Sequence, residues 1–201
     1  MHFDLQHLIR SVGYLGVWAI IFAESGLLVG FFLPGDSLLF VAGFLASTPN
    51  SPFQIGILIV GCFIAAVAGD NVGYSTGHRF GKRLFRREES LFFHKSNLNK
   101  AQKFYEQHGK KTIILARFLP VVRTFAPIIA GIGSMNYRVF LTYNLVGGAI
   151  WTVGLTLMGY FLGRMIDPKI MEKYLILVVL AIVVVSLLPS AWHLYQDRKR
   201  S

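Results

Sequence analysis

The sequence has few of the residues that make disulfides, metal sites or secretion signals. Its one cysteine, Cys62, excludes an internal disulfide and is expected to be a packed core thiol. The six histidines are scattered without the spacing of metal ligands, so neither a metal site nor a cofactor is predicted. Arg10 is the one basic residue before the first apolar run, so a basic secretory leader is absent and no cleaved signal peptide is expected.

Charged residues are also scarce, at 15% of the chain against 54% hydrophobic residues. This composition is too apolar for an ordinary soluble domain and favours a single membrane domain over residues 1–201. The stretches 139–163 and 174–196 contain no charged side chain, and 55–77 is interrupted only by Asp70. Each is long enough to cross a bilayer as a helix.

Acidic residues are outnumbered by basic ones, 10 to 20, which gives a net charge of +10. Ten of the basic residues lie within 79–111 and three more within 198–200. Clusters of this kind mark the cytoplasmic side of a membrane protein and attract anionic lipid, so no nucleic-acid partner is predicted. We expect residues 83–111 to form a basic cytoplasmic segment, with an interfacial helix at 98–108. The loops at 47–54 and 164–173 are then external.

A first break falls after the apolar run 11–33, which contains Glu24. Pro34 and Gly35 form a turn signal, and the apolar stretch 37–46 that follows is too short to span. Two geometries fit: a spanning helix followed by a half-helix, or a re-entrant hairpin that enters and leaves on one side. The short second limb favours the hairpin.

A second break is predicted inside the apolar run 112–135, which carries Arg117 and Arg123. Arginine is costly at membrane depth, and proline removes a backbone donor, so this run is not expected to be one continuous helix. Pro120 and Pro127 are the predicted breaks. Such an element needs protein or water around it rather than lipid.

The chain also repeats itself. Ala42-Gly43 corresponds to Ala130-Gly131 at a separation of 88 residues, and a G-Y-x-x-G motif at 73–77 recurs at 159–163. Each copy, 1–82 and 112–164, holds one full crossing and one element that turns back, so the second copy starts from the opposite side. The predicted fold is therefore all-α and integral to the membrane. It is an inverted repeat of two re-entrant helical hairpins, each followed by a transmembrane helix, plus a C-terminal transmembrane helix at 174–196. Secondary transporters are typically built in this way, with their sites where the broken elements meet.

The charges within these apolar elements are the candidate site. Glu24 and Asp36 belong to the first broken element and are expected within reach of Arg117 or Arg123 in the second. One interpretation is a pair of stabilising salt bridges. The other is functional: burial favours the neutral form of a carboxylate, so the acids handle protons, while the arginine fork binds a phosphate.

Three further residues within the apolar stretches carry polar groups. Asp70 faces the same cavity as a third proton-coupling acid or pairs with a basic residue at the interface. Asn144 is expected to make an interhelical hydrogen bond. Ser75 lies in a G-x-S-x-G pattern, but at the end of a membrane helix rather than in the strand-turn-helix of a nucleophile elbow, so catalysis by it is not predicted.

In combination, these motifs resemble the DedA family of bacterial inner-membrane proteins, which is related to the eukaryotic VTT-domain lipid scramblases and SNARE-associated Golgi proteins. The matching pieces are Glu24, the F-L-P-G-D motif at 32–36, G-D-N-V-G-Y at 69–74 with Gly77, A-R-F-L-P-V-V-R-T at 116–124, Ala130-Gly131, Asn144 and Trp151. The resemblance implies two re-entrant hairpins and a transport role associated with undecaprenyl phosphate, phospholipid homeostasis and the proton-motive force. It also implies that Glu24, Asp36, Arg117 and Arg123 match the family's important residues.

The function expected from these observations is proton-coupled translocation of a lipid phosphate, with membrane lipid and protons as the other partners. A proton-coupled exchanger of small cations is an alternative, in which the arginines are only counter-ions. A non-transporting assembly protein is another, and the oligomeric state is not assigned. An enzyme is not predicted, because the sequence offers neither a nucleophile-base pair nor a metal cluster.

Overall fold

A computed structural model describes residues 5–27, 33–49, 51–84, 112–117 and 119–166 of the chain. Over these ranges all regular structure is helical, as predicted. The helices are α1 (Leu5–Gly26), α2 (Gly35–Ala46), α3 (Ile55–Leu84), α4 (Thr112–Ala116), α5 (Pro120–Ile132) and α6 (Tyr137–Met165). The predicted helices at 98–108 and 174–196 lie outside the described residues, as does most of the basic segment 83–111.

Helices α3 and α6 hold the segments that are long and apolar enough to cross a membrane, at Ile55–Phe80 and Tyr137–Met165. Both were predicted, at 55–77 and 139–163. Helix α3 continues beyond its apolar part to Leu84, because arginine and lysine are good helix formers and the helix does not need an apolar environment to persist.

The apolar run 11–33 is not a single helix. Helix α1 begins before it, at Leu5, and ends within it, at Gly26. Inside α1, Gly13 has φ +62°, in the left-handed region that glycine tolerates, so the helix is kinked there. Near its end, Gly26 packs so closely on the backbone of Gly69 in α3 that a Cβ atom would lie only 2.6 Å from the Gly69 carbonyl oxygen.

The arginine-proline run is broken between α4 and α5. The amide of Arg117 donates to the Ile114 carbonyl at 3.2 Å and closes α4, and Leu119 is extended. Pro120 then starts α5, where a missing amide hydrogen breaks no helical bond. Pro34 and Gly35 stand likewise at the start of α2.

The prediction that Pro127 also breaks the chain is wrong. Pro127 lies inside α5, which continues to Ile132. Its side chain is buried, and a Cβ atom built on Gly73 of α3 would lie 3.3 Å from the Cβ of Pro127. Proline costs a membrane helix less when a neighbouring helix packs around it, which explains why the helix persists.

The chain forms two compact units. The first contains the described residues of 1–18, 34–62 and 153–201. Here α2 packs against the C-terminal half of α6: a Cβ atom on Gly43 would overlap the Thr156 carbonyl, and one on Gly159 would overlap the Phe40 carbonyl.

The second unit contains the described residues of 19–33 and 63–152. Here α5 packs against α3 through the same motif, because a Cβ atom on Gly131 would overlap the Tyr74 carbonyl and one on Gly77 would overlap the Ile128 carbonyl. The glycines of the sequence repeat are thus the close-contact positions. In each unit the short helix of one copy packs on the long helix of the other copy.

An apolar cluster in the second unit holds α4 and α5 in place. Tyr74, Ile113, Ala130 and Phe140 are buried together, each from a different helix. The Tyr74 and Phe140 rings stack with centroids 4.5 Å apart, and the Tyr74 hydroxyl donates to the Met135 carbonyl. These contacts position the break that carries Arg117 and the first turns of α5 that carry Arg123.

Candidate functional site

Arg123 and Glu24 form a buried ion pair in the second unit. Arg123 is the fourth residue of α5, and Glu24 lies in the last turn of α1. Nη2 of Arg123 donates to Oε1 of Glu24, and the two side chains are 12% and 1% exposed. The expected approach of an acid from the first broken element to an arginine from the second is present here.

Arg117 is held by two partners from two helices. Its Nη2 donates to Oδ2 of Asp70 in α3 and to Oδ1 of Asn144 in α6, and all three side chains are buried. Asp70 therefore pairs with an arginine of the broken element. Asn144 also donates from Nδ2 to the Val67 carbonyl at 3.3 Å, so the expected interhelical hydrogen bond is present and also supports an arginine.

Trp151 of α6 contacts both arginines. The Cζ atom of Arg123 lies 5.2 Å from the centroid of the indole ring, and that of Arg117 lies 5.9 Å from it. Both distances are within the range of a cation-π interaction, which strengthens when the groups are shielded from water. Trp151 is 3% exposed, so both contacts are shielded.

One face of α6 lines this site. Asn144, Gly147, Gly148 and Trp151 are spaced by three or four residues, which places them on one side of the helix. A Cβ atom on Gly147 would lie 3.1 Å from Cδ of Arg117, so the absence of a side chain leaves room for the arginine. Sequence reasoning assigned no site role to Asn144 and Trp151, although this spacing opposite a charged broken element is a signal that could have indicated them.

The four charges of the site balance, because Glu24 and Asp70 offset Arg117 and Arg123. Within the described part of the chain, Oε2 of Glu24 and Nε of Arg117 are buried without a hydrogen-bond partner from the protein. The N-terminus of α5 lies between the two arginines in sequence and carries the positive end of the helix dipole. An anion could bind an arginine of this site, or a proton could bind one of its acids, and either event would break an internal ion pair.

The other proton-coupling candidate, Asp36, belongs to the first unit, in the first turn of α2. The structure therefore brings together Glu24, Asp70, Arg117 and Arg123 of the predicted site, with Asn144 and Trp151 in addition. Among the described residues there is no cluster of three or more histidine, cysteine, aspartate or glutamate side chains that could hold a metal ion.

Relatives of this chain are membrane proteins by name. The VTT domain matches residues 33–161. Protein DedA of Escherichia coli (strain K12) is 45% identical over 205 aligned positions, which cover 99% of this chain and 92% of that protein. An uncharacterized membrane protein of Mycobacterium tuberculosis is 46% identical over 189 positions, covering 92% of this chain and 82% of that protein. One from Synechocystis is 33% identical over 163 positions, covering 81% and 72%. No solved structure matches the chain significantly.

Proposed function

Since the chain belongs to the DedA family of VTT-domain membrane proteins, we propose that it moves a lipid phosphate across the bacterial cytoplasmic membrane in a proton-dependent manner. The observation that carries the proposal is the pairing of two arginines, 5% and 12% exposed, with two buried acids. Undecaprenyl phosphate or a phospholipid is the class of substrate, and no cofactor is required.

The arginines are the proposed phosphate ligands. A guanidinium group offers a planar fork that can bind two phosphate oxygens at once, and Arg117 and Arg123 contact the same indole ring. The amides in the first turn of α5 add the partial positive charge that broken transporter helices direct at anionic groups. The lipid tail needs no enclosed cavity, because it can remain in the bilayer.

The acids are the proposed proton acceptors, Glu24 first among them. In the ion pair Glu24 competes with any phosphate for Arg123. A proton that binds the Glu24 carboxylate converts it to a neutral acid, leaves the site with one net positive charge and frees the guanidinium for a phosphate oxygen. Loss of that proton restores the ion pair and favours release of the phosphate. This cycle couples protonation of Glu24 to binding of the headgroup without any covalent step.

Asp70 and Asp36 take different places in this proposal. Asp70 forms an ion pair with Arg117, which also donates to Asn144. It is the proposed second proton acceptor, because its protonation would break that ion pair and free Arg117. Asp36 lies at the start of α2 and is the proposed proton acceptor of the first unit.

The finer architecture is part of the same proposal. We propose that α2 and α5 are limbs of two re-entrant hairpins related by an inverted repeat, with the basic segment 79–111 and the C-terminus cytoplasmic. The helix contacts support this proposal. The short helix α2 of the first copy packs on the long helix α6 of the second, and the short helix α5 of the second copy packs on the long helix α3 of the first, as expected for copies related by a twofold axis.

An intramembrane hydrolase fits these observations less well. The G-x-S-x-G pattern around Ser75 lies inside the continuous helix α3, whereas a nucleophile elbow requires a sharp turn between a strand and a helix. A cation exchanger is disfavoured by the arginines, which offset the two acids that would otherwise attract a cation.

The test is movement of a labelled prenyl phosphate across proteoliposomes, with and without a pH gradient. We expect gradient-dependent movement by the parent chain, loss of movement in Arg123→Lys, and normal movement in Arg164→Lys. The last variant is the matched control, because Arg164 is exposed at the end of α6. Movement equal to that in protein-free liposomes would reject the proposal, and a gradient-driven cation flux in its place would favour the exchanger. If neither occurs in a folded protein, the assembly role is favoured.

A further inference from the structure

Trp151 contacts both arginines of the site through a single aromatic ring. Two like-charged groups would separate if nothing held them. Their ion-pair partners do not hold them together, because Glu24 comes from α1 and Asp70 from α3. The shared ring of α6 is the element common to the two pairs.

We propose that Trp151 is a positioning residue for lipid-phosphate binding. Its π face keeps Arg117 and Arg123 close together when protonation of Glu24 or Asp70 breaks the ion pairs. This inference rests on the proposed function. In the resting state each guanidinium is oriented by a carboxylate and by the ring. When a carboxylate takes up a proton, the ring still attracts both guanidinium groups, because a cation-π attraction does not depend on the protonation of an acid.

The geometry of the ring supports this role. Both Cζ atoms lie within 6 Å of the centroid of the Trp151 ring. The distance between the two Cζ atoms is therefore at most the sum of their two distances to that centroid. A cation-π contact does not itself use the N–H groups of a guanidinium, and those groups bind phosphate oxygens. The ring therefore restrains the cations without occupying the donors that the headgroup requires.

The surroundings of Trp151 separate this role from simple packing. Gly147, one turn before it on α6, leaves room for the stem of Arg117 beside the ring. A tryptophan that served only to fill space would need an apolar environment. This one also contacts two cations.

The decisive experiment is a series of fluorinated tryptophans at position 151, in a chain whose other tryptophans are replaced by phenylalanine. Added fluorine atoms withdraw charge from the π face with little change in volume. We expect Kd for farnesyl phosphate to weaken step by step along the series, by about two- to thirtyfold in total, while the thermal unfolding midpoint stays constant. Farnesol and inorganic phosphate are titrated in parallel. Farnesol tests whether the tail binds without a phosphate, and inorganic phosphate tests whether a phosphate binds without a tail.

Conventional variants extend the test. Trp151→Phe keeps a weaker π face and should bind with intermediate affinity, whereas Trp151→Leu should bind weakest. Trp18→Leu is the matched control, because Trp18 belongs to the first unit and packs on Gly61. It should leave Kd unchanged. A Kd that is constant along the fluorinated series, or that falls only as the unfolding midpoint falls, would overturn the role of Trp151.

A ligand-free measurement keeps this proposal separate from the proposed function. In the parent chain with ¹⁵N-labelled arginine, we expect resolved Nη signals for Arg117 and Arg123, because ring and acid together restrict rotation of each guanidinium. The Arg123 signals should average more in the double variant, Glu24→Gln with Trp151→Leu, than in Glu24→Gln alone. If adding Trp151→Leu leaves the signals unchanged, Trp151 does not restrain the arginine. If the parent chain fails to bind farnesyl phosphate although the signals behave as expected, the proposed function fails and the restraint by Trp151 stands.

Discussion

Replacement of Glu24 by glutamine should make the chain bind a lipid phosphate more tightly at alkaline pH. In the parent, the Glu24 carboxylate and the incoming phosphate compete for Arg123. Glutamine has nearly the same size and can still accept a hydrogen bond, but it carries no charge. It therefore imitates the protonated acid of the proposed cycle and holds the site permanently ready for an anion.

The size of the effect follows from the burial of the pair. Glu24 is 1% exposed and Arg123 is 12% exposed, so water screens their attraction only weakly. A hydrogen bond between charged partners contributes about 1.5–3 kcal/mol, and glutamine retains part of it. Because a tenfold change in Kd corresponds to about 1.4 kcal/mol, the variant should bind roughly ten to a hundred times more tightly at pH 8.

The assay is a titration of both proteins with farnesyl phosphate at several pH values between 5 and 8. A phosphate monoester changes its own charge in this range, but the ratio of the two Kd values cancels that contribution. In the proposed cycle, the ratio of parent to variant is largest where Glu24 of the parent is ionised and falls toward one as Glu24 takes up its proton. Gradient-driven transport by the variant should be lost, because no proton can be released at this position.

The matched control is the same change in a chain that also carries Arg123→Gln. Without the guanidinium there is nothing to free, so Glu24→Gln should then leave Kd unchanged. A variant that binds as weakly as the parent at pH 8 would refute the competition between carboxylate and phosphate. Unfolding curves would show whether the loss of the ion pair also reduces stability.

Three other outcomes are expected. Asp70→Asn should destabilise the fold by about 3–5 kcal/mol in a chemical unfolding assay, because it leaves a buried guanidinium without its counter-ion, and a change below about 1 kcal/mol would contradict that pairing. Gly131→Ala should destabilise by about 1–3 kcal/mol through overlap with the facing helix, whereas the control Gly154→Ala, with nothing within 4 Å, should be neutral or stabilising in the same assay. Cysteines introduced at positions 51 and 90 should be labelled from opposite sides of the membrane, and labelling from one side would reject the proposed orientation.

The elements of the fold could be predicted from local pattern. Apolar length indicated α3 and α6, and Pro120 indicated the break before α5, because each signal acts over one or two turns of chain. Pro127 misled the same reasoning. Whether a proline breaks a helix depends on what packs around it, and its neighbour in α3 lies some fifty residues earlier in the sequence.

The candidate site could be predicted in composition but not in pairing. Glu24 and Arg123 are 99 residues apart, and Asp70 and Arg117 are 47 apart, so no local rule assigns one acid to one arginine. Trp151 was harder to predict, because a tryptophan in an apolar helix is ordinary until the charges that face it are known. The three- and four-residue spacing from Asn144 to Trp151 becomes informative only when α6 is placed against the break.

The exchange of short helices between the two copies has a consequence for biosynthesis. Helix α5 emerges from the ribosome when its partner α3 has already been made. For helix α2 the order is reversed, because the segment of α6 that packs against Gly43 is synthesised more than a hundred residues later. At about 5–20 residues per second the delay is roughly 5–25 s. During that interval α2, which is too short to span the bilayer, lacks the α6 segment that covers its Gly43 face. The nascent chain therefore depends on the insertion machinery or on neighbouring lipid to shield that face.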